Sequence, residues 1–204
     1  MCESVLKLKS TSRLWKLIKN ENIQILIVYG GLRSIVLMGS SLFTFYVLTF
    51  LSAPPRILGI IISVGFLASA LGSMLGGYLT DKVGRKKVIV PGFTLMGLAW
   101  LFFTVPQSLS WLFILYAVYS LGNSMGFYTT ALVMDITSEQ KKGTAVGIFN
   151  CFMYLGVFLS GIVGGLLWES IGASASFRVA FVTFTAAALI INFFVKPAAQ
   201  NPKN

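Results

Sequence analysis

Histidine is absent from this 204-residue chain. That excludes His-dependent catalytic triads and His metal sites. Acids are nearly as scarce, six Asp and Glu against sixteen Lys and Arg. Cysteine occurs twice, Cys2 in the N-terminal tail and Cys151 inside an apolar run, which makes no disulfide framework. There is no Gly-rich phosphate loop. Neither an enzyme nor a cofactor or metal site is expected. Charged residues of both signs are only 11% of the chain, where a soluble domain has about 25%. Too few charges remain to coat a soluble core.

What is present is apolar length. Hydrophobic residues are 56% of the sequence and mean hydropathy is +0.83. A membrane helix needs roughly 20 apolar residues. Six segments qualify: Ile23–Leu51, Ile57–Leu79, Val88–Val105, Leu109–Met134, Thr144–Trp168 and Phe177–Val195. A transmembrane barrel would instead alternate over segments of about 10 residues. The expected fold is therefore an all-α membrane protein with six transmembrane helices over 23–195. Residues 1–22 form a basic tail and 196–204 a short C-terminal one. The six prolines fall in loops, tails or near segment ends, so no span is broken at its middle by proline. The first apolar run follows a basic tail and is too long for a signal peptide.

The cations set the orientation. Lys7, Lys9, Arg13, Lys16 and Lys19 precede the first span. Lys82, Arg85, Lys86 and Lys87 follow the second, Lys141 and Lys142 the fourth, and Lys196 and Lys203 the sixth. The opposite side has Arg56 and Arg178. Both termini should thus be cytoplasmic, in a multi-pass protein of the cell membrane. The net charge of +10 reads as topology, not nucleic-acid binding, because the bases are split among four short segments. Val5, Leu6, Leu8, Leu14, Trp15, Leu17 and Ile18 interleave with the N-terminal bases, as in a helix lying on the lipid surface or a disordered basic tail.

Small residues allow membrane helices to approach closely. Span two carries Gly72 and Gly76, span four Gly122 and Gly126, and span five Gly156, Gly161 and Gly165, with Gly30, Gly31 and Gly39 in span one. Spans three and six are bulky. The expectation is that spans one, two, four and five are inner helices and three and six peripheral.

Polar residues inside the spans are the candidates for a substrate cavity. Arg33 lies roughly 15 Å into span one at helical rise. It either faces a cavity, where it would attract an anionic group, or snorkels to the surface. Tyr29, Arg33, Ser40 and Thr44 share one helical face, as do Tyr116, Tyr119, Asn123 and Gly126 in span four. Asn150 joins them from span five if its glycines face inward. These residues would line a cavity or simply link helices.

The stretch "GGYLTDKVGRKK" between spans two and three resembles the loop signature of the major facilitator superfamily, G-x-L-x-D-[R/K]-x-G-[R/K]-[R/K]. Gly77, Leu79, Asp81, Lys82, Gly84, Arg85 and Lys86 fill it. Gly147, Gly156, Gly164 and Gly165 resemble that family's span-five glycine signature, although Ser160-Gly161 stands where it has Gly-Pro. "DITSEQKKGTAVG" resembles the loop before helix five or eleven, with Asp135, Glu139, Lys141 and Lys142 as a second charged bracket. The resemblance implies one six-helix half of a transporter. The missing arginine in span four and the Trp-containing basic tail point to the C-terminal half. It further implies secondary transport of a small solute by alternating access. A second half, from a partner chain or a homodimer, would complete the machine, with the bilayer as the other partner. Asp81 and Arg85 would be the charge pair that breaks and reforms at a cytoplasmic gate. The competing reading is a truncated, non-transporting product or a module that modulates a full-length transporter.

Overall fold

A computed structural model describes residues 42–49, 51–103, 105 and 108–195, together with residues 24, 27, 28, 30, 31 and 34. All regular structure among the described residues is helical. Helix α1 covers residues 42–49, α2 Pro55–Val83, α3 Arg85–Phe102, α4 Leu109–Gly126, α5 Tyr128–Asp135, α6 Lys142–Ile171 and α7 Ala173–Phe194. A single 3₁₀ turn, Glu139–Lys141, precedes α6. Three stretches are long and apolar enough to cross a membrane by length and composition, Pro55–Val83, Glu139–Ile171 and Ala173–Phe194. The chain is a helical membrane protein.

Two hairpins organise the fold, α2–α3 and α6–α7. One glycine turns each. Gly84 has φ 88°, ψ 152° and Gly172 has φ 102°, ψ 172°. That corner of backbone space is almost confined to glycine. The amide of Gly84 donates to the Thr80 carbonyl at 3.0 Å, and that of Gly172 to the carbonyls of Leu167 (3.2 Å) and Trp168 (3.0 Å). The helix is thereby closed on one side while the next begins at the following residue. An acid lies three residues before each glycine, Asp81 and Glu169, and an aliphatic residue just before it, Val83 and Ile171.

Helix ends reach beyond the apolar runs that announced them. Helix α2 runs four residues past Leu79, so Asp81 stands in its last turn and not in a loop. Helix α3 starts at Arg85, three residues before Val88, which places Pro91 inside it. The lipid boundary limits apolar composition, whereas a helix continues until its backbone bonds stop. The fourth expected span is interrupted at a single residue, Phe127, which keeps helical dihedrals (φ −64°, ψ −23°); there the Phe127 amide donates to the Ser124 carbonyl (3.3 Å) and the Thr130 amide to the Phe127 carbonyl (3.2 Å). These are i→i−3 bonds.

The ranking of helices by glycine content holds only in part: the bulky helices α3 and α7, expected at the periphery, share the buried centre with α4. Ile89, Phe93, Trp100, Phe177, Phe184 and Ile191 are fully buried. Glycine-rich α6 is the most exposed of the three candidate spans. Lipid offers no hydrophobic drive between helices, so contact geometry decides, and interlocked aromatics supply it. Trp100 stacks on Phe177 at 5.3 Å, meets Tyr119 edge-on at 5.0 Å, and lies 5.1 Å from Phe103, which meets Phe43 of α1. Each such pair is worth about 0.5–1.5 kcal/mol beyond area burial. This knot ties α1, α3, α4 and α7 at the end away from Gly84.

Small residues do set the contact between α2 and α4–α5. A Cβ on Gly65 would lie 2.4 Å from Tyr116, on Gly72 2.2 Å from Ser124 Oγ, and on Gly76 2.6 Å from Tyr128. Ser69 Oγ donates to the Ser120 carbonyl at 3.0 Å. Gly92 of α3 and Gly122 of α4 meet as backbones, a Cβ on Gly122 falling 2.5 Å from the Gly92 carbonyl. Gly156 rests on Ser34, whose hydroxyl bonds the Gly30 and Met153 carbonyls. Among the described residues, nothing lies within 4 Å of a Cβ on Gly161 or Gly165.

Candidate functional site

The turn at Gly84 gathers charge from three elements. Arg85, the first residue of α3, directs Nε to Asp135 Oδ2 at 3.2 Å. Asp135 is the last residue of α5. Lys86 Nζ donates to the Val195 carbonyl, just past α7, at 2.8 Å. Adjacent cations of one turn thus hold the ends of two other helices. Cations suit helix C-termini, where carbonyls are left unpaired.

This corrects the expected pairing. Arg85 meets Asp135 of the second bracket and not Asp81. Asp81 is exposed and, among the described residues, in no ion pair. The reason is geometric. Asp81 belongs to α2, Arg85 to α3, and the sharp bend at Gly84 separates their side chains. Lys82 lies 4.3 Å over the Tyr78 ring, and Lys87 is exposed. Glu139 and Lys142 form their own i,i+3 pair at 2.5 Å. Gly77 supports the turn by accepting the Thr80 hydroxyl at 2.7 Å on its carbonyl.

The Arg85–Asp135 pair is neither buried nor free. Its side chains are 34% and 38% exposed, so it contributes at most about 1 kcal/mol. Arg85 Nη1 is buried and has no hydrogen-bond partner. The pair is cheap to break, and one face of the guanidinium still lacks an acceptor.

A cavity of about 210 Å³ opens between α2 and α4. Ile62, Gly65, Phe66 and Ser69 line it from α2, and Tyr116, Tyr119, Ser120 and Asn123 from α4. Three of the expected cavity residues, Tyr116, Tyr119 and Asn123, therefore share one site. Asn150, on α6, does not line it. Tyr29 and Arg33 lie outside the described residues. The lining has hydroxyls, one carboxamide and three aromatic rings, and no charge. Gly65 makes the space for Tyr116, which also stacks on Phe43 at 4.7 Å.

Two partners escaped the sequence reading. One is Tyr128, whose hydroxyl donates to the Ser73 carbonyl at 2.7 Å. A signal existed, because Tyr116, Ser120, Ser124 and Tyr128 recur every four residues opposite Gly65, Ser69, Gly72 and Gly76. The other is the Lys86–Val195 contact, for which periodicity gives no signal.

Helical hairpins with three stretches able to cross a membrane, joined by a charged glycine turn and enclosing an uncharged cavity, define a polytopic helical membrane protein. A sequence model of the Major Facilitator Superfamily matches residues 25–204. The chain belongs to that superfamily, a family of transporters rather than enzymes. It is similar to Multidrug resistance protein MdtG of Escherichia coli O1:K1 / APEC, and equally to that of Escherichia coli K12 / DH10B. Each is 31% identical over 137 residues, 67% of this chain and 32% of the relative. The match spans about a third of those relatives' length.

Proposed function

We propose that the chain is one six-helix half of a secondary transporter, moving a small solute by alternating access. In this reading the spans that include α1, α3 and α4–α5 complete a six-span unit with both ends cytoplasmic. A second half, from a partner chain or a homodimer, closes the substrate path. The observation that carries the reading is the Arg85–Asp135 pair. It joins two separately spaced charged motifs at one end of the bundle, and it is weak enough to open. Asp81, exposed beside it, is the acid that a second half would meet.

The α2–α4 cavity is the proposed substrate wall. Its rings and neutral hydrogen-bonding groups suit an aromatic, uncharged solute, in keeping with the multidrug resistance named for the relatives. Sites for drug-sized ligands are usually about 300–1,000 Å³. A cavity of about 210 Å³ is thus a part-site that a second wall would complete. Flux of an aromatic solute into liposomes tests the reading. If the second half is a partner chain, the chain alone should give none and co-expression with a six-span first half should restore it; if the chain pairs with itself, flux should appear alone and rise with protein concentration. Absence of flux in both cases would favour the modulator or inert-fragment reading, which the one-third coverage of the relatives keeps in view.

A further inference from the structure

Helix α5 is eight residues long, too short to be stable alone, and its two ends are tied to the two arms of the α2–α3 hairpin. At its start the Tyr128 hydroxyl donates to the Ser73 carbonyl of α2 at 2.7 Å. At its end Asp135 meets Arg85 across the Gly84 turn at 3.2 Å. The tyrosine ring lies against the glycine pair that opens "GGYLTDKVGRKK". A Cβ on Gly76 would lie 2.6 Å from Tyr128 Cε2, and one on Gly77 3.3 Å from its hydroxyl. No side chain at position 76 leaves room for that ring.

The link between α5 and α4 is of another kind. At Phe127 the backbone makes i→i−3 bonds. Hydroxyls flank the break: Ser124 Oγ bonds the Leu121 carbonyl at 2.7 Å and Thr129 Oγ1 the Gly126 carbonyl at 2.8 Å. Both features bend and soften a helix. Asn123 of the cavity is one turn before this break.

We propose that Tyr128 is a positioning residue that clamps α5 to the α2–α3 hairpin. Helix α5 and the Gly84 turn then move as one body, with Gly126–Phe127 as its hinge to α4. Gly76 and Gly77 are there to seat the tyrosine. The clamp stands on geometry alone; its relevance to transport rests on reading the Gly84 turn as a gate.

The test uses the full chain in detergent with Cys2 and Cys151 replaced by serine. Val133, buried on α5, becomes the reporter as Val133→Cys, and the rate of its modification by N-ethylmaleimide reads undocking of α5. Tyr128→Phe keeps the ring and removes the bond; Gly76→Ala blocks the seat. Each should raise the rate at least threefold, and the double variant no further than the larger single effect, because both act on one seat. A second reporter, Ala187→Cys, buried on α7, should not change. Unchanged rates at Val133→Cys, additive effects, or equal increases at both reporters would overturn the clamp. Liposome flux with the second half separates the two readings. A lowered maximal rate at constant KM in Tyr128→Phe supports coupling to the gate. Faster labelling with normal flux keeps the clamp and removes the gate.

Discussion

Asp81 occupies the last turn of α2, where the helix dipole disfavours a negative charge by as much as about 1 kcal/mol. Among the described residues it has no ion pair to offset this. A residue placed against its own stability is one whose service lies elsewhere, here against the proposed second half. The two effects of neutralising it should therefore have opposite signs. Asp81→Asn is expected to leave the melting temperature of the purified chain unchanged or slightly higher, and to slow solute flux of the assembled transporter. Asp135→Asn removes the partner of Arg85, and should cost about 0–1 kcal/mol for so exposed a pair. Parallel melting curves and flux traces check both. If Asp81→Asn lowered the melting temperature by several degrees and left flux intact, the acid would be structural.

At the scale of helices, glycine has two uses, and spacing alone did not separate them. Gly72 and Gly76 of α2 were legible as contact residues, since small residues at that spacing can only help if another helix comes close. The same spacing at Gly161 and Gly165 marks a face with nothing within 4 Å among the described residues. Which face is covered depends on three-dimensional neighbours, and a one-dimensional pattern does not contain them. The misplaced centre has a similar cause. Trp100 and Phe177 are ordinary bulky apolar residues in sequence, and only their mutual stacking at 5.3 Å makes α3 and α7 central. The Gly84 turn was legible because its residues are constrained one by one: φ 88° with ψ 152° is a corner almost confined to glycine. The pairing Arg85–Asp135 was not, because it joins residues fifty positions apart. A substitution pair separates the two uses of glycine. Gly72→Ala puts a methyl 2.2 Å from Ser124 Oγ and 3.0 Å from the Leu121 carbonyl, and should cost about 1–3 kcal/mol by overpacking. Gly161→Ala meets nothing and gains helix propensity, so it should be neutral or stabilising by up to about 1 kcal/mol. Denaturant titration of the chain in detergent measures both.

For the whole molecule, the exposed surface of α6 is the feature that most needs a second body. Phe158, Leu159, Ile162 and Leu166 are each more than half exposed, and Gly161 and Gly165 lie among them. Lipid tails would satisfy the apolar groups. They would not explain glycines, which cost helix stability wherever no backbone comes close. A close-approaching partner helix explains both, and in the proposed reading it belongs to the second transporter half. Gly161→Trp fills that approach without touching the described interior. It should leave the melting temperature of the isolated chain nearly as it is. It should also abolish co-purification with the second half, and with it the restored flux. Gly72→Ala should act in the reverse sense, weakening the chain itself while leaving the α6 face intact. If Gly161→Trp assembles and transports normally, the second half docks elsewhere, and the glycines of α6 serve only the lipid-facing surface.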